Sequence, residues 1–114
     1  MSSDQPNASR EPFYRIDKFA VPAAGRNEFL GKVAATHALL RRQEGFVRDL
    51  IMEQQSGPGI FNVVTLVEWT GPEAVERVSA AVADLHKKMG FDRHEMMARL
   101  GVRADIANYR RLDL

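Results

Sequence analysis

Residues 46–69 read FVRDLIMEQQSGPGIFNVVTLVEW, and this stretch decides the fold. Two runs rich in β-branched and large apolar side chains, Phe46–Gln55 and Ile60–Trp69, flank the turn sequence Ser56–Gly59. Runs of this length separated by Gly and Pro are typical of two strands joined by a tight connection. The centre of the chain is therefore predicted to be an antiparallel hairpin.

The segment before the hairpin predicts a strand and then a helix. Phe13–Val21 is rich in strand-forming residues, and Pro22 ends it. From about Ala24 to Arg42, apolar residues and one histidine recur at steps of three and four. The members of this stripe are Phe29, Leu30, Val33, His37 and Leu40. Gly45 then supplies a stop after the helix.

The segment after the hairpin predicts two helices and a last strand. Thr70–Glu73 matches a capping box with a proline in the first turn, and the helix that it opens ends at Gly90. Asp92–Glu95 matches a second capping box, for a short helix that ends at Leu100 and Gly101. Arg103–Leu112 is predicted to form the final strand. The order βαββα(α)β is that of an α+β, ferredoxin-like fold with helices on one face of a four-stranded antiparallel sheet.

The two hairpin strands carry apolar residues at both odd and even positions, which point to opposite faces of a strand. Examples are Val47 and Ile51 on one side and Leu50 and Met52 on the other. A sheet with one face in water would alternate more cleanly. We therefore expect a homodimer in which sheet packs on sheet. The alternative is that several of these residues are isolated exposed apolar side chains, which are common.

The overall composition bounds the partners of the chain. Its 114 residues fit one domain, which we place at 13–114, after a polar, disordered tail at 1–12. Lys and Arg number 16 against 15 acids, so no charge pattern for nucleic acid is evident. Cysteine is absent, which excludes disulfides and thiolate sites. Without a secretory signal pattern or an apolar run of membrane-spanning length, the protein is expected to be cytoplasmic and not membrane-bound.

The chain resembles the antibiotic biosynthesis monooxygenase family in three features. These are the element order from Phe13 to Leu112, the pair Thr36-His37 followed by Gly45-Phe46, and Val67-Glu68-Trp69 before the second helix. The resemblance implies a dimeric α/β barrel with a pocket between helices and sheet in each subunit. It also implies a choice of activities, because the family includes cofactor-free oxygenases of quinols or polyketide aromatics, haem-degrading enzymes, isomerases and proteins with no assigned reaction.

Three residues are candidates for catalysis. His37 lies within the apolar stripe and could take a phenolic proton near neutral pH, or could be a core histidine bonded to the backbone. Trp69 could form a pocket wall with an indole donor, or simply fill the core. Asn62 could bind oxygen through its amide. Since Asn62 and Trp69 are seven residues apart, a regular strand points them to opposite faces unless a bulge intervenes.

Weaker candidates for the substrate pocket are Tyr14, His86 and Tyr109. The tyrosines lie on outer strands, where rim packing is more usual, and His86 lies at the margin of an apolar helix face. Three acidic residues also lie within predicted strands, but the alternation of the sequence does not show which face of the sheet they point to. They are Glu68, Asp17 and Asp105.

No metal site and no cofactor are expected. His94-Glu95 begins like a zinc-protease motif, but Ala98 replaces its second histidine, and no glycine-rich phosphate loop occurs. The pattern of the haem-degrading members combines an asparagine on the first strand, a tryptophan at the end of the third strand and a histidine early in the second helix. Here the first strand lacks asparagine and that helix position is Val78.

Two hypotheses of function remain open. The first is a cofactor-independent monooxygenase acting on a phenolic, quinol or polyketide-type aromatic, with haem degradation as a less favoured variant. The second is a non-catalytic dimer of the same fold that binds a small aromatic ligand.

Overall fold

The computed structural model describes residues 11–114. The predicted tail therefore lies outside the described residues except for Glu11 and Pro12, which precede the first strand. The elements, in chain order, are β1 (Phe13–Ala20), a 3-10 turn (Ala23–Gly25), α1 (Arg26–Leu40), β2 (Phe46–Glu53), β3 (Val63–Trp69), α2 (Pro72–Lys88), α3 (Arg93–Leu100) and β4 (Arg103–Tyr109).

The four strands form one antiparallel sheet in the order β2-β3-β1-β4. The predicted hairpin is confirmed, because β2 pairs with β3 along its length. The connections through the helices bring β1 between β3 and β4, and the helices cover one face of the sheet. This is the α+β, ferredoxin-like arrangement that the sequence predicts.

Several predicted boundaries were wrong. β3 begins at Val63 rather than at Ile60, because the side chain of Asn62 is bonded to the backbone of Val21 just before the strand. β2 ends at Glu53 and β4 at Tyr109, each before the predicted end.

The two predicted capping boxes differ in outcome. At the start of α2, the N-cap residue is Gly71 and not Thr70, no side chain caps it, and Pro72 occupies the first turn. At the start of α3, the Asp92 carboxylate accepts a hydrogen bond from the backbone N–H of Glu95, as expected for an N-cap aspartate.

The interior consists of two separate apolar clusters between helices and sheet. The first contains Phe19, Val21, Phe29, Val63, Met96 and Val102. The second contains Leu40, Val67, Trp69, Ala74 and Val78. α1 runs along both, with Phe29 in one cluster and Leu40 in the other, so the predicted stripe of α1 does face the interior.

In the part of the chain that the structure describes, no helix packs on the opposite face of the sheet. Leu50 and Met52 of β2 lie there and are 43% and 44% exposed. Leu66, which pairs with Leu50, is only half-buried. Among the described residues, no helix is both long and apolar enough to cross a membrane.

Candidate functional site

The helix-facing side of the sheet becomes polar between the two apolar clusters. Along β3, Val63 and Val67 belong to different clusters, and the residue between them on the same face is Thr65. Its partner across the pairing with β1 is Asp17. His37 of α1 is 5% exposed and lines the same space. A polar band in an otherwise apolar interior is a candidate binding site.

His37 is held by a carboxylate from the edge strand. Its Nδ1 lies 2.8 Å from Oδ2 of Asp49, and both side chains are at most one-tenth exposed. Arg41, the C-cap residue directly after α1, also binds Asp49, with 2.9 Å between its Nη2 and the same Oδ2. The alternative that His37 is bonded to a backbone carbonyl is therefore not what the structure contains.

A bulge in β2 turns Asp49 toward His37. Phe46 pairs with Trp69, but Arg48 pairs with Glu68, so Val47 is an extra residue in the ladder. In a strand that alternated regularly from Phe46 through Val47, Arg48 would point to the helix side and Asp49 to the open face of the sheet. The sequence allowed a bulge between Asn62 and Trp69, but β3 pairs with β1 without interruption from Val63 to Trp69. The bulge lies instead in β2, where it was not predicted, and its effect is on Asp49.

The ion pair fixes the charge of Asp49. Burial alone would raise the pKa of its carboxyl, but hydrogen bonds from Arg41 and His37 outweigh burial and hold the pKa below its usual value. Asp49 is therefore a carboxylate at neutral pH and accepts the proton on His37 Nδ1. Among the described residues, every fully enclosed polar side-chain atom has a hydrogen-bond partner. The other ring nitrogen of His37, Nε2, has no partner there and is not one of these enclosed atoms. A neutral imidazole held in this tautomer keeps Nε2 as a proton acceptor.

A cavity opens beside His37. Its larger lobe has a volume of about 400 Å³ and extends to Trp69, and its smaller lobe, about 100 Å³, extends to Phe29. The polar side chains common to both lobes are Asp17, Thr36, His37, Thr65, His86 and Arg93. The larger lobe falls within the usual size of small-molecule sites.

His86 reaches the same cavity from α2. Its Nε2 lies 3.3 Å from the hydroxyl of Thr36, and its ring packs edge-on against Phe91 with 4.7 Å between centroids. Burial lowers the pKa of His86 below its usual value, and the positive charges of Arg93 and Lys32 lower it further. His86 is thus neutral at pH 7. The structure brings three of the predicted site residues, His37, His86 and Trp69, to one cavity.

Trp69 ends β3 within the second apolar cluster and is 3% exposed. Its ring packs edge-on against Phe46, with 5.8 Å between centroids, while also lining the larger lobe. The residue is therefore both core and cavity wall.

Asn62 lies outside the cavity-lining set. Its Oδ1 accepts from the backbone N–H of Val21 and its Nδ2 donates to the carbonyl of Val21, both at 2.8 Å. These bonds join the start of β3 to the end of β1. The amide proposed for oxygen binding is occupied in this way.

Tyr14 and Tyr109 lie opposite each other on β1 and β4. Both point to the open face, because Tyr14 pairs with Glu68, whose neighbours Val67 and Trp69 face the helices. Neither tyrosine lines the cavity beside His37. A role for them in binding substrate stays a prediction.

Sequence reasoning missed Asp49, Lys32, Thr65 and Arg93, and left Asp17 unoriented. Asp17 faces the cavity and pairs with Arg15, with 2.8 Å between Arg15 Nε and Asp17 Oδ1. For Lys32 the available signal was position, because Lys32, Thr36 and the stripe residue Leu40 follow one another at steps of four and so lie along one side of α1. Among the described residues, no cluster of three His, Asp or Glu side chains suited to a metal ion occurs.

Neither a family model nor a curated protein sequence matches the chain. Solved structures do. SnoaB from Streptomyces nogalater, a cofactor-independent oxygenase, is 21% identical, with a TM-score of 0.66 over 91% of this chain and 96% of its own. MhuD from Mycobacterium tuberculosis, a heme-degrader seen with two hemes in its active site, is 16% identical, with a TM-score of 0.63 over 90% and 98%. A protein from Shewanella oneidensis, 16% identical, has a TM-score of 0.69 over 90% and 92%.

The chain has the same fold as SnoaB and MhuD. The resemblance predicted from the sequence is thereby confirmed at the level of the fold. Proteins that share a fold can carry out different reactions, so the fold alone does not determine the chemistry of this cavity.

Proposed function

We propose that the protein is a cofactor-independent monooxygenase acting on a phenolic, quinol or polyketide-type aromatic. The observation that carries the proposal is the buried pair of His37 and Asp49 beside a largely apolar cavity. A carboxylate that accepts from Nδ1–H leaves Nε2 free to act as a general base. The oxygenase fold of the chain is consistent with this chemistry.

The first step is removal of a phenolic proton by His37 Nε2. The resulting phenolate is electron-rich, and the imidazolium that forms is stabilised by Asp49. The phenolate then reduces dioxygen. For an anthrone, the ring methylene becomes a carbonyl that contains one oxygen atom, and the second oxygen leaves as water with the two methylene hydrogens. The substrate supplies all the electrons, so the balance needs no further reductant.

The cavity walls favour this step by excluding water from the aromatic ring. Trp69 and Val78 contribute flat and branched apolar surface to the larger lobe. In such surroundings a fixed donor or charge acts more strongly on a developing oxyanion than it would in water. Trp69 is the proposed wall, and its indole N–H is a candidate donor to reduced oxygen.

Haem degradation is less well supported by the residues of the cavity. At the helix position where the haem-degrading pattern has a histidine, Val78 is buried with Leu40 and Trp69. An isopropyl side chain cannot bind iron. Of the three histidines that line the cavity, His86 contacts the Thr36 hydroxyl through its Nε2, whereas His37 is bonded to Asp49 through Nδ1.

We further propose that the protein is a homodimer formed through the open face of the sheet. Leu50 and Met52 are large, apolar and more than two-fifths exposed, and Leu66 continues the patch on β3. Contiguous apolar surface of this kind on one side of a sheet is typical of an interface. A second copy of the chain offers the matching surface by symmetry.

The test of the reaction is oxygen uptake with a panel of hydroquinones and anthrones, in buffer treated with chelator and without added cofactor. We expect one molecule of dioxygen to be consumed for each anthrone converted, and one labelled oxygen atom in the product from ¹⁸O₂. Binding of these aromatics without any oxygen uptake would contradict the proposal and favour the ligand-binding dimer.

A further inference from the structure

We infer that the cavity recognises an aromatic ligand that carries a carboxylate, which is bound by Lys32 of α1 and Arg93 of α3. The inference rests on the proposed function in taking the aromatic ligand of that cavity as its starting point. It adds the charge of the ligand and the residues that select it. Both cations line the smaller lobe, next to His86 and Phe91.

The first argument is that, within residues 11–114, the two cations lack a counterion of their own, because Glu28, whose pKa Lys32 helps to lower, is bonded to Arg99. Lys32 and Arg93 are half-buried, and within residues 11–114 neither forms an ion pair. The third cation of the cavity, Arg15, is paired with Asp17. A cation that is partly removed from water and has no partner gains most from an anion that enters beside it.

The second argument is the placement of the two charges. Lys32 Nζ lies 5.0 Å from the centroid of the Phe91 ring, which itself packs on His86. Arg93 lines both lobes. Their combined charge also lowers the pKa of His86, so both act on the same part of the cavity. Asp17 opposes them there, but its charge is offset by Arg15.

A carboxylate suits this arrangement better than a neutral polar group. Its two oxygens can accept from a guanidinium and an ammonium together. Beside it, Phe91 and the two methionines Met96 and Met97 provide an apolar, polarizable surface for an aromatic ring. The ligand class is thus an aromatic acid whose ring lies toward His37 and whose carboxylate lies toward α3.

The test compares two probes of nearly equal size, anthraquinone-2-carboxylate and anthraquinone-2-carboxamide, by calorimetry on the full chain. We expect the wild-type protein to bind the acid roughly 10-fold to 100-fold more tightly than the amide, the range of hydrogen bonds to charged groups. The double variant Lys32→Gln, Arg93→Gln should bind both probes with the affinity of the amide. Arg93→Lys should retain a preference for the acid.

The matched control is the double variant Arg42→Gln, Lys87→Gln, which removes the same net charge at two exposed positions. It should keep the preference for the acid. Equal affinities of the wild type for both probes, binding of neither, or loss of the preference in this control would overturn the inference. His37→Gln should keep the preference even if its oxygen uptake fails, which separates this inference from the proposed reaction.

A second pair of probes identifies the source of the carboxylate. Mesoporphyrin carries propionates on a tetrapyrrole, whereas the anthraquinone acid represents a polyketide-type ring. Dependence on Lys32 and Arg93 for either probe supports recognition of a carboxylate, and the one bound more tightly gives the ligand class. Binding of both acids without dependence on these two residues would contradict it.

Discussion

The Nδ1 atom of His37 lies 2.8 Å from the Oδ2 atom of Asp49, a contact that joins the last turn of α1 to the edge strand β2. The contact exists because the bulge at Val47 turns Asp49 to the helix side of the sheet. It sets which ring nitrogen carries the proton in neutral His37. The reactivity proposed for this cavity therefore depends on a residue that does not itself need to touch the substrate.

Replacing Asp49 with Asn should lower turnover more than it lowers substrate affinity. An amide can donate to Nδ1, which would favour the tautomer with the proton on Nε2 and remove the proton acceptor. We expect kcat to fall by about 10²-fold or more, with KM little changed, in steady-state oxygen uptake.

The control for Asp49 is Arg41→Gln. Arg41 binds the same carboxylate, but its side chain is half exposed, so its removal should leave the contact with His37 and reduce kcat only slightly. Equal losses in the two variants would contradict a specific role for the tautomer.

His37 and Leu40, neighbours on the inward face of α1, should respond in opposite ways to substitution. Leu40 is 8% exposed in the second apolar cluster, so Leu40→Ala should cost about 2–5 kcal/mol of unfolding free energy. His37→Gln nearly preserves size but removes the base, so it should remain folded and lose roughly 10²–10⁴-fold in rate. Urea unfolding and oxygen uptake measure the two effects. A folded His37→Gln protein with wild-type turnover would exclude His37 as the base.

The sequence is sufficient to predict the elements of the fold, because their signals are local. The turn Ser56–Gly59 and the apolar runs beside it define the hairpin, and the stripe from Phe29 to Leu40 defines the buried side of α1. His37 was found for the same reason, since a histidine in an apolar stripe must point inward.

The partners of His37 could not be predicted, because they depend on tertiary pairing. Arg48 and Asp49 are both polar, so parity gives no sign of which one faces the helices until the bulge at Val47 is known. The start of β3 could not be predicted for the same reason. Ile60 and Phe61 continue the strand pattern, but Asn62 binds Val21, a residue 41 positions earlier.

Acid should weaken the folded state partly through His86. The pKa of His86 is lower in the folded protein than its usual value of 6.5, because it is partly buried and lies near Arg93 and Lys32. As the pH falls below 6.5, the unfolded chain binds a proton that the folded chain resists, so the free energy of unfolding decreases. His86→Gln should flatten this slope in urea titrations between pH 7.5 and 5.5. An unchanged slope in His86→Gln would contradict this contribution.

Charge on the open face of the sheet should prevent the proposed dimer. Leu50→Arg places a cation within the apolar patch of β2 and β3, where burial against a second copy would be costly. We expect light scattering to give twice the monomer mass for the wild type and the monomer mass for Leu50→Arg. Ile60→Arg is the control, since Ile60 is 62% exposed in the connection between β2 and β3. A wild-type protein that is monomeric at micromolar concentration would contradict the dimer.

Asn62→Ala separates a structural role of this amide from a role in binding oxygen. In the folded protein Asn62 makes two hydrogen bonds of 2.8 Å with the backbone of Val21, which is 5% exposed. Removing the amide leaves the N–H and C=O of Val21 without these partners, so we expect a loss of about 1–3 kcal/mol in unfolding free energy. Since Asn62 does not line the cavity beside His37, turnover measured well below the melting temperature should stay near that of the wild type. Asn62→Asp is the informative second variant, because its carboxylate can still accept from the N–H of Val21 but cannot donate to the carbonyl. An Asn62→Ala protein of wild-type stability that loses oxygen uptake would instead assign the amide to the chemistry.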